Sequence, residues 1–117
     1  MQKPLQLTFR STPHSDALAT HVNRRAEKLD HIFDRILWCH VVVEPADDHR
    51  SRGEPYRITV KLGLPGHEIL ASQSPSEGRF LDDVRETADR AFDDVERELE
   101  DWVKSQGEQR EQEAPHA

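Results

Sequence analysis

The sequence contains a single cysteine, and none of its apolar runs approaches the roughly 20 residues that a membrane-spanning helix needs. One cysteine cannot form an internal disulfide, which suits a reducing compartment and argues against a disulfide-stabilised secreted fold. The first residues, Met1-Gln2-Lys3-Pro4, lack the continuous apolar segment of a signal peptide. We therefore expect a cytoplasmic protein without a membrane partner. Cys39 lies in an apolar run, which predicts a buried structural thiol.

Motifs of the common catalytic and metal sites are also missing. The seven histidines show neither H-x-x-x-H nor the His/Cys spacing of a zinc site, and there is no glycine-rich phosphate loop. Cys39 and His40 are neighbours in a predicted strand, so their side chains should point to opposite sheet faces and cannot form a thiolate–imidazole pair. We expect a protein that is not an enzyme, with no metal, cofactor or small-molecule substrate.

Charge is distributed unevenly along the 117 residues, whose net charge is −7. Residues 1–70 carry a net charge of +1, whereas residues 71–117 carry −8. Hydrophobic residues make up 34% of the chain and charged residues 33%, so we expect one domain with a lean core and a highly solvated surface. A polyanion would be attracted to the first part and repelled by the second, and the function must account for both.

Hydrophobic periodicity predicts six elements in the order β-α-β-β-β-α. They are a strand at 5–9, a helix from the N-cap Ser15 to about Arg35, strands at 36–43, 56–62 and 68–74, and a helix at about 80–104. Pro65 and Gly66 suit a type II turn between the last two strands. The expected fold class is α+β, with both helices on one face of a four-stranded sheet. The domain should span residues 1–104, followed by a disordered tail at 105–117.

The first predicted helix sorts its charges by face. On a helical wheel one stripe holds only basic or histidine side chains, namely His21, Arg24, Lys28, His31 and Arg35. Arg25 lies at the edge of this stripe. Cations aligned along one helix face are the geometry that a phosphate backbone requires. The alternative is an ordinary solvated face whose charges are balanced by flanking acids. For Arg50 and Arg52, in a loop with Asp47 and Asp48, phosphate contact and simple solvation are equally good interpretations.

The last predicted helix is acidic, and its bases follow acids by four residues. Glu86 precedes Arg90, and Glu100 precedes Lys104; Asp93 stands likewise before Arg97. Each pair has the favourable orientation and stabilises a helix by roughly 0.2–0.5 kcal/mol. This helix is therefore not expected to be the main anion-binding surface.

Several short strings in the chain match a known pattern in order and spacing. They are Asp16-Ala17-Leu18, Glu27-Lys28-Leu29, Phe33-Asp34-Arg35-Ile36, Val41-Val42-Val43-Glu44, Pro65-Gly66-His67-Glu68, Ala91-Phe92-Asp93 and Arg97-Glu98-Leu99. In these strings the chain resembles the bacterial ribosome hibernation promoting factors, also called sigma-54 modulation or ribosome-associated inhibitor proteins. The resemblance spans roughly residues 5–104, and the chain is similar to the short members of the family.

The resemblance implies the β-α-β-β-β-α fold, whose β-β-β-α part is like a double-stranded-RNA-binding domain. It also implies docking in the channel of the small ribosomal subunit where messenger and transfer RNA pass, which silences idle ribosomes during stress by occupancy. Three bases of the first helix, Arg25, Lys28 and Arg35, stand where the family commonly has Lys or Arg.

The last helix departs from the family pattern. Arg97 stands at a commonly basic position, whereas Asp94, Asp101 and Val103 replace positions that are often basic in the family. Each lost phosphate contact weakens a binding energy that depends on salt. Family members use basic residues on both helices, so this departure leaves the first helix as the expected primary contact.

The leading hypothesis is a ribosome-associated translation modulator that binds 16S rRNA of the small subunit, with a ribosomal protein as a further candidate contact. The candidate RNA-binding residues are His21, Arg24, Arg25, Lys28, His31 and Arg35, with Arg50, Arg52, Arg97 and Lys104 as secondary contacts. The alternative is a protein-interaction module of the same fold that has lost ribosome binding. Such a module would use its acidic last helix against a basic partner.

Overall fold

The computed structural model describes residues 1–45, 56–75 and 84–113, with side chains up to residue 107. Its elements are β1 (Gln6–Phe9), α1 (Asp16–Ile32), β2 (Trp38–Pro45), β3 (Tyr56–Leu64), β4 (His67–Gln73) and α2 (Val84–Glu113). The predicted order and the α+β class are confirmed. Arg50 and Arg52 lie outside the described residues, and so does the predicted start of the last helix near residue 80.

The four strands form one sheet in the order β1-β2-β3-β4. β1 runs parallel to β2 because α1 provides the crossover that a parallel pair needs, and the other pairs are antiparallel. β3 and β4 form the predicted hairpin, in which Leu64 pairs with His67. Gly66 has a φ of 72°, the left-handed conformation that glycine adopts without a steric penalty at this turn position.

The helices cover one sheet face. Because side chains alternate along a strand, every second residue points to the helices, and the buried ones are Cys39, Val41, Val43, Ile58, Val60, Leu62, Leu64, Ile69 and Ala71. The helices bury complementary stripes, formed by Leu18, Val22, Ala26, Leu29, Ala88, Ala91, Phe92, Val95 and Leu99. This layer fixes which faces of α1 and α2 remain for other molecules.

The other sheet face is open, as the alternation predicts. Leu70 on this face remains 60% exposed. Trp38 lies across Gly63 on the neighbouring strand, so closely that a Cβ at Gly63 would collide with the indole ring. The ring also contacts His40, with centroids 4.6 Å apart. Trp38 therefore fills the space that the missing Gly63 side chain leaves on the sheet.

α1 begins as predicted and ends earlier. The Ser15 hydroxyl accepts a hydrogen bond from the Leu18 N–H at 3.2 Å, which satisfies one free donor of the first turn. The helix ends at Ile32 because Phe33 has extended backbone angles. The Phe33 ring packs edge-on against Trp102 of α2, with ring centroids 5.2 Å apart. Arg35, the predicted end, therefore lies in the connection to β2.

α2 is longer than the sequence indicates. It continues to Glu113, so residues 105–113 are helical in the structure, where a disordered tail was expected. This segment has no apolar stripe, but Glu, Gln and Arg are good helix formers. Extending an existing helix is also much easier than nucleating a new one. Within the described ranges, no helix combines the length and apolar character that a membrane crossing requires.

Candidate nucleic-acid interface

Two cations and a histidine of α1 form a line of unpaired side chains on its solvent face. Arg24, Lys28 and His31 are exposed, and none of them has a hydrogen-bond or ion-pair partner within the described part of the chain. They follow one another by four and three positions, so they lie on one side of the helix. At 1.5 Å per residue the line is roughly 10 Å long. Unpaired cations at this spacing can each reach a separate anion.

Arg35, just beyond the end of the helix, is a further cation without an ion-pair partner among the described residues. It is exposed, and its guanidinium lies over the Phe33 ring, 5.3 Å from the centroid. A cation over an aromatic face is attracted by the ring's negative face, which holds the side chain in place without using its N–H donors. We call Arg24, Lys28, His31 and Arg35 the α1 cation line.

The remaining two predicted residues of α1 face α2 and lie in an ion cluster between the helices. The guanidinium of Arg25 donates hydrogen bonds to the Asp89 carboxylate at 2.6 Å and to the Asp93 carboxylate at 2.7 Å. Glu96 lies 3.3 Å from the same group. The ring Nε2 of His21 lies 2.6 Å from the Asp89 carboxylate. We call these five residues the interhelical cluster.

Arg25 is the centre of this cluster and is only 8% exposed. Its burial opposes the charged form, but the hydrogen bonds with Asp93 and Asp89 and the charge of Glu96 outweigh it, so the pKa of Arg25 is raised. Its Nε and one oxygen of Glu96 are buried without a hydrogen-bond partner. The arrangement therefore depends on attraction between full charges rather than on complete hydrogen bonding.

Asp89 of α2 is the shared partner of His21 and Arg25, the two residues of α1 that face α2. Its partial burial favours the neutral acid, but hydrogen bonds with His21 and Arg25 stabilise the carboxylate more strongly, and the pKa of Asp89 is lowered. The group is thus ionised at neutral pH and holds its two partners against α2.

The structure gives Arg25 an internal position, which differs from its predicted role as an RNA contact. Its guanidinium is occupied by three carboxylates, so we leave it out of the proposed RNA-binding surface, and His21 with it. The signal for this position was present in the sequence: Arg25 follows Val22 by three and precedes Leu29 by four, so it borders the apolar stripe. Its acidic partners on α2 could not be identified without knowing how the helices pack.

The two secondary candidates on α2 are exposed, and the structure does not add them to the cation line. Arg97 donates a hydrogen bond to Asp94 at 2.9 Å, three residues away, instead of pairing with Asp93. Arg90 donates to the Ser74 carbonyl at 2.8 Å, so it ties α2 to the end of β4. Lys104 has no ion-pair partner among the residues with described side chains. The bases of α2 therefore have separate, largely local roles.

The structure locates the single thiol and the potential metal ligands among the described residues. Cys39 is fully buried, as predicted, and burial, together with the charge of Asp30, raises the pKa of its thiol to about 12. A thiol with this pKa does not form the reactive thiolate at neutral pH. Among the same residues, no group of three or more His, Cys, Asp or Glu side chains is placed to hold a metal ion.

The structure is a small α+β domain with two helices on one face of a four-stranded sheet and exposed basic side chains on its first helix. Residues 5–105 match the sequence profile of the sigma-54 modulation protein / S30EA ribosomal protein family, and the chain belongs to this family. The match confirms the resemblance found in the short strings, and it supports a ribosome-associated modulation factor.

Solved structures of similar fold include the following two proteins. The N-terminal domain of Protein Y from Thermus thermophilus is 22% identical, with a TM-score of 0.64, and the match covers 83% of this chain and 94% of that one. A ribosomal subunit interface protein from Coxiella burnetii is 19% identical, with a TM-score of 0.68, and the match covers 86% and 97%. These likenesses establish the fold. No curated protein matches the chain in sequence.

The interhelical cluster predicts that Arg25 stabilises the fold. Substituting Arg25→Met removes the charge that holds three carboxylates together, and we expect a loss of about 3 kcal/mol in the free energy of unfolding, measured by urea denaturation. Arg24→Met is the matched control, because Arg24 is exposed and has no partner among the described residues; its effect should stay within about 0.5 kcal/mol. Equal effects of the two substitutions would contradict the internal role of Arg25.

The lowered pKa of Asp89 predicts a pH dependence of stability. A carboxylate with a lowered pKa in the folded state stabilises the fold above its unfolded pKa of about 3.9, and this contribution is lost as pH falls through the folded value. The stability difference between the wild type and Asp89→Asn should therefore be full at pH 5 and should shrink below about pH 4. Urea denaturation at pH 3 to 5.5 tests this expectation. A difference that stays constant over that range would contradict it.

Proposed function

We propose that this protein is a non-enzymatic, ribosome-associated translation modulator that binds small-subunit rRNA through the α1 cation line. The observation that carries the proposal is that a member of the sigma-54 modulation protein / S30EA ribosomal protein family exposes Arg24, Lys28 and His31 along one side of α1 and Arg35 just beyond its end, with no acidic partner among the described residues. Its place of action is then the cytoplasm, where ribosomes are. It would act by occupying the channel for messenger and transfer RNA in idle ribosomes.

The physical basis of this binding is the release of counterions from the RNA backbone. Each phosphate that a Lys or Arg neutralises releases condensed ions, so affinity falls steeply as salt rises. Arg24, Lys28 and Arg35 are the charged donors of this surface, and the imidazole of His31 lies beside Lys28 on the same side of α1. Arg97 and Lys104 remain secondary candidates because both are exposed on α2, although Arg97 shares its charge with Asp94.

The acids of α2 limit how the protein can approach RNA. The interhelical cluster neutralises part of this charge, because Arg25 lies among Asp89, Asp93 and Glu96. Acids on the other sides of α2, such as Glu98 and Asp101, are exposed and would be repelled by phosphate. The proposal therefore includes an orientation, in which α1 faces the RNA and the outer side of α2 faces away from it.

Co-sedimentation with bacterial ribosomes across a salt series tests the proposal. The wild type should migrate with the small subunit at low salt and dissociate as salt rises, and the slope estimates the number of phosphates engaged. Arg24→Glu combined with Lys28→Glu should abolish co-migration, because it reverses two charges of the line without touching the core.

The matched control is Lys3→Glu combined with Lys61→Glu, which changes the net charge equally at two exposed positions away from the line. This control should still co-migrate at low salt. If the wild type fails to migrate with ribosomes at any salt concentration, or if both double variants lose binding equally, the α1 cation line is not the ribosome-binding surface.

A further inference from the structure

A second surface, opposite in charge to the α1 cation line, lies at the far edge of the sheet. β4 is the last strand and pairs only with β3, so the backbone groups along its outer edge have no strand partner within the described residues. Proteins commonly protect such edges with Lys, Pro or a bulge. The seven residues of β4, HEILASQ, contain neither Lys nor Pro, and they pair with β3 in an unbroken register.

A groove of about 470 Å³ runs beside this edge. Residues 67–70 of β4 form one wall, and Glu98, Asp101 and Trp102 of α2 form the other. The His67 ring is stacked on the Trp102 ring, with centroids 5.8 Å apart and an angle of 5° between the planes. The groove thus has a flat aromatic end and an exposed apolar side chain, Leu70, next to the strand.

Three of the residues that line the groove are acidic. Glu68, Glu98 and Asp101 are exposed, and Glu98 and Asp101 have no cationic partner among the described residues. Glu68 makes only a long contact of 3.8 Å with Lys61. Asp94 lies farther along the same side of α2, where it accepts a hydrogen bond from Gln73 of β4. The negative charge of this part of α2 therefore lies along the strand edge.

We propose that the β4 edge and this groove bind an extended, basic polypeptide segment of a partner protein. The segment would pair with β4 as a fifth strand, in the manner of β-strand addition, in which backbone hydrogen bonds give affinity and side-chain contacts give specificity. Its Lys or Arg side chains, on the helix side of the sheet, would lie against Glu98 and Asp101, and the apolar side chains that alternate with them would cover Leu70 on the open face. Charge complementarity thus identifies the occupant.

Other occupants fit less well. A nucleic acid would place its phosphates against three carboxylates. A second copy of this chain, paired through β4, would bring the same acids of both copies together, and like charges that face each other across an interface are unfavourable. A basic segment avoids this repulsion, and its backbone forms hydrogen bonds with the unpaired backbone groups along the β4 edge.

The groove is separate from the interface of the proposed function, and the inference goes beyond that function. α1 packs against the side of α2 that carries Asp89, Asp93 and Glu96, whereas the groove uses the side that carries Glu98 and Asp101. Both surfaces can therefore be occupied at the same time, one by an anionic partner and the other by a cationic one.

The test is a titration of the full chain with a ten-residue peptide of alternating Lys and Val. NMR amide shifts locate the bound peptide, and dialysis or calorimetry measures its affinity. We expect the largest shifts at residues 67–73 and at the Trp102 indole. A peptide with Glu in place of Lys should not bind. The Lys/Val peptide with N-methyl groups on alternate amides keeps its charge but cannot form one ladder of strand hydrogen bonds, and it should bind at least about ten-fold more weakly.

The matched variants neutralise two acids each. Glu98→Gln combined with Asp101→Asn should weaken peptide binding about five-fold or more, whereas Glu86→Gln combined with Glu100→Gln, which makes the same change in net charge outside the groove, should leave it nearly unchanged. Arg24→Glu combined with Lys28→Glu should keep peptide binding, so that loss of ribosome association and loss of this site are distinguishable.

Three results would overturn the proposal. The first is equal weakening by the two neutralised variants, which would indicate nonspecific attraction to an acidic chain. The second is unchanged binding of the N-methylated peptide, which would exclude strand pairing. The third is that the Lys/Val peptide causes no amide shifts at β4, whereas single-stranded RNA or self-association of the free protein does.

Discussion

The attraction between Arg25 and three carboxylates of α2 is the interaction on which the arrangement of this molecule depends. Both helices lie on one sheet face, and the acidic helix would repel a polyanion if all its charge were exposed. By placing one guanidinium among Asp89, Asp93 and Glu96, the fold neutralises the acids nearest to α1. The neighbouring Arg24 and Lys28 then remain free to face solvent. A single buried cation thus separates a basic surface from an acidic one.

In our proposal, the separation of charge allows a chain with a net charge of −7 to approach RNA. In physiological salt, exposed charges that are more than about 8 Å apart are largely screened from each other. The exposed cations on α1 therefore attract RNA largely independently of the acids on the far side of α2. In our account, one face approaches phosphate while the other, along β4, receives a basic segment. The two contacts would fix the orientation of the protein on its target.

The sequence was sufficient for the features that depend on local chemistry. Alternation in the strands, the Ser15 cap and the Pro65-Gly66 turn predicted the element order and the fold class, because each is governed by neighbours in the chain. Features set by packing were not predictable in the same way. Arg25 was grouped with the exposed bases because its partners are more than 60 residues away. The end of α2 was placed too early because apolar periodicity stops before the helix does.

Directed hydroxyl-radical probing of rRNA tests the central claim most directly. The only native cysteine, Cys39, is buried with a pKa of about 12, so a probe attached to an introduced cysteine reacts at one site. Iron–EDTA tethered through Lys28→Cys should cleave small-subunit rRNA in the ribosome complex, whereas the same probe at Glu98→Cys should cleave it much less. Cleavage from position 98 without cleavage from position 28 would contradict the account, because it would place the acidic helix rather than α1 against the RNA.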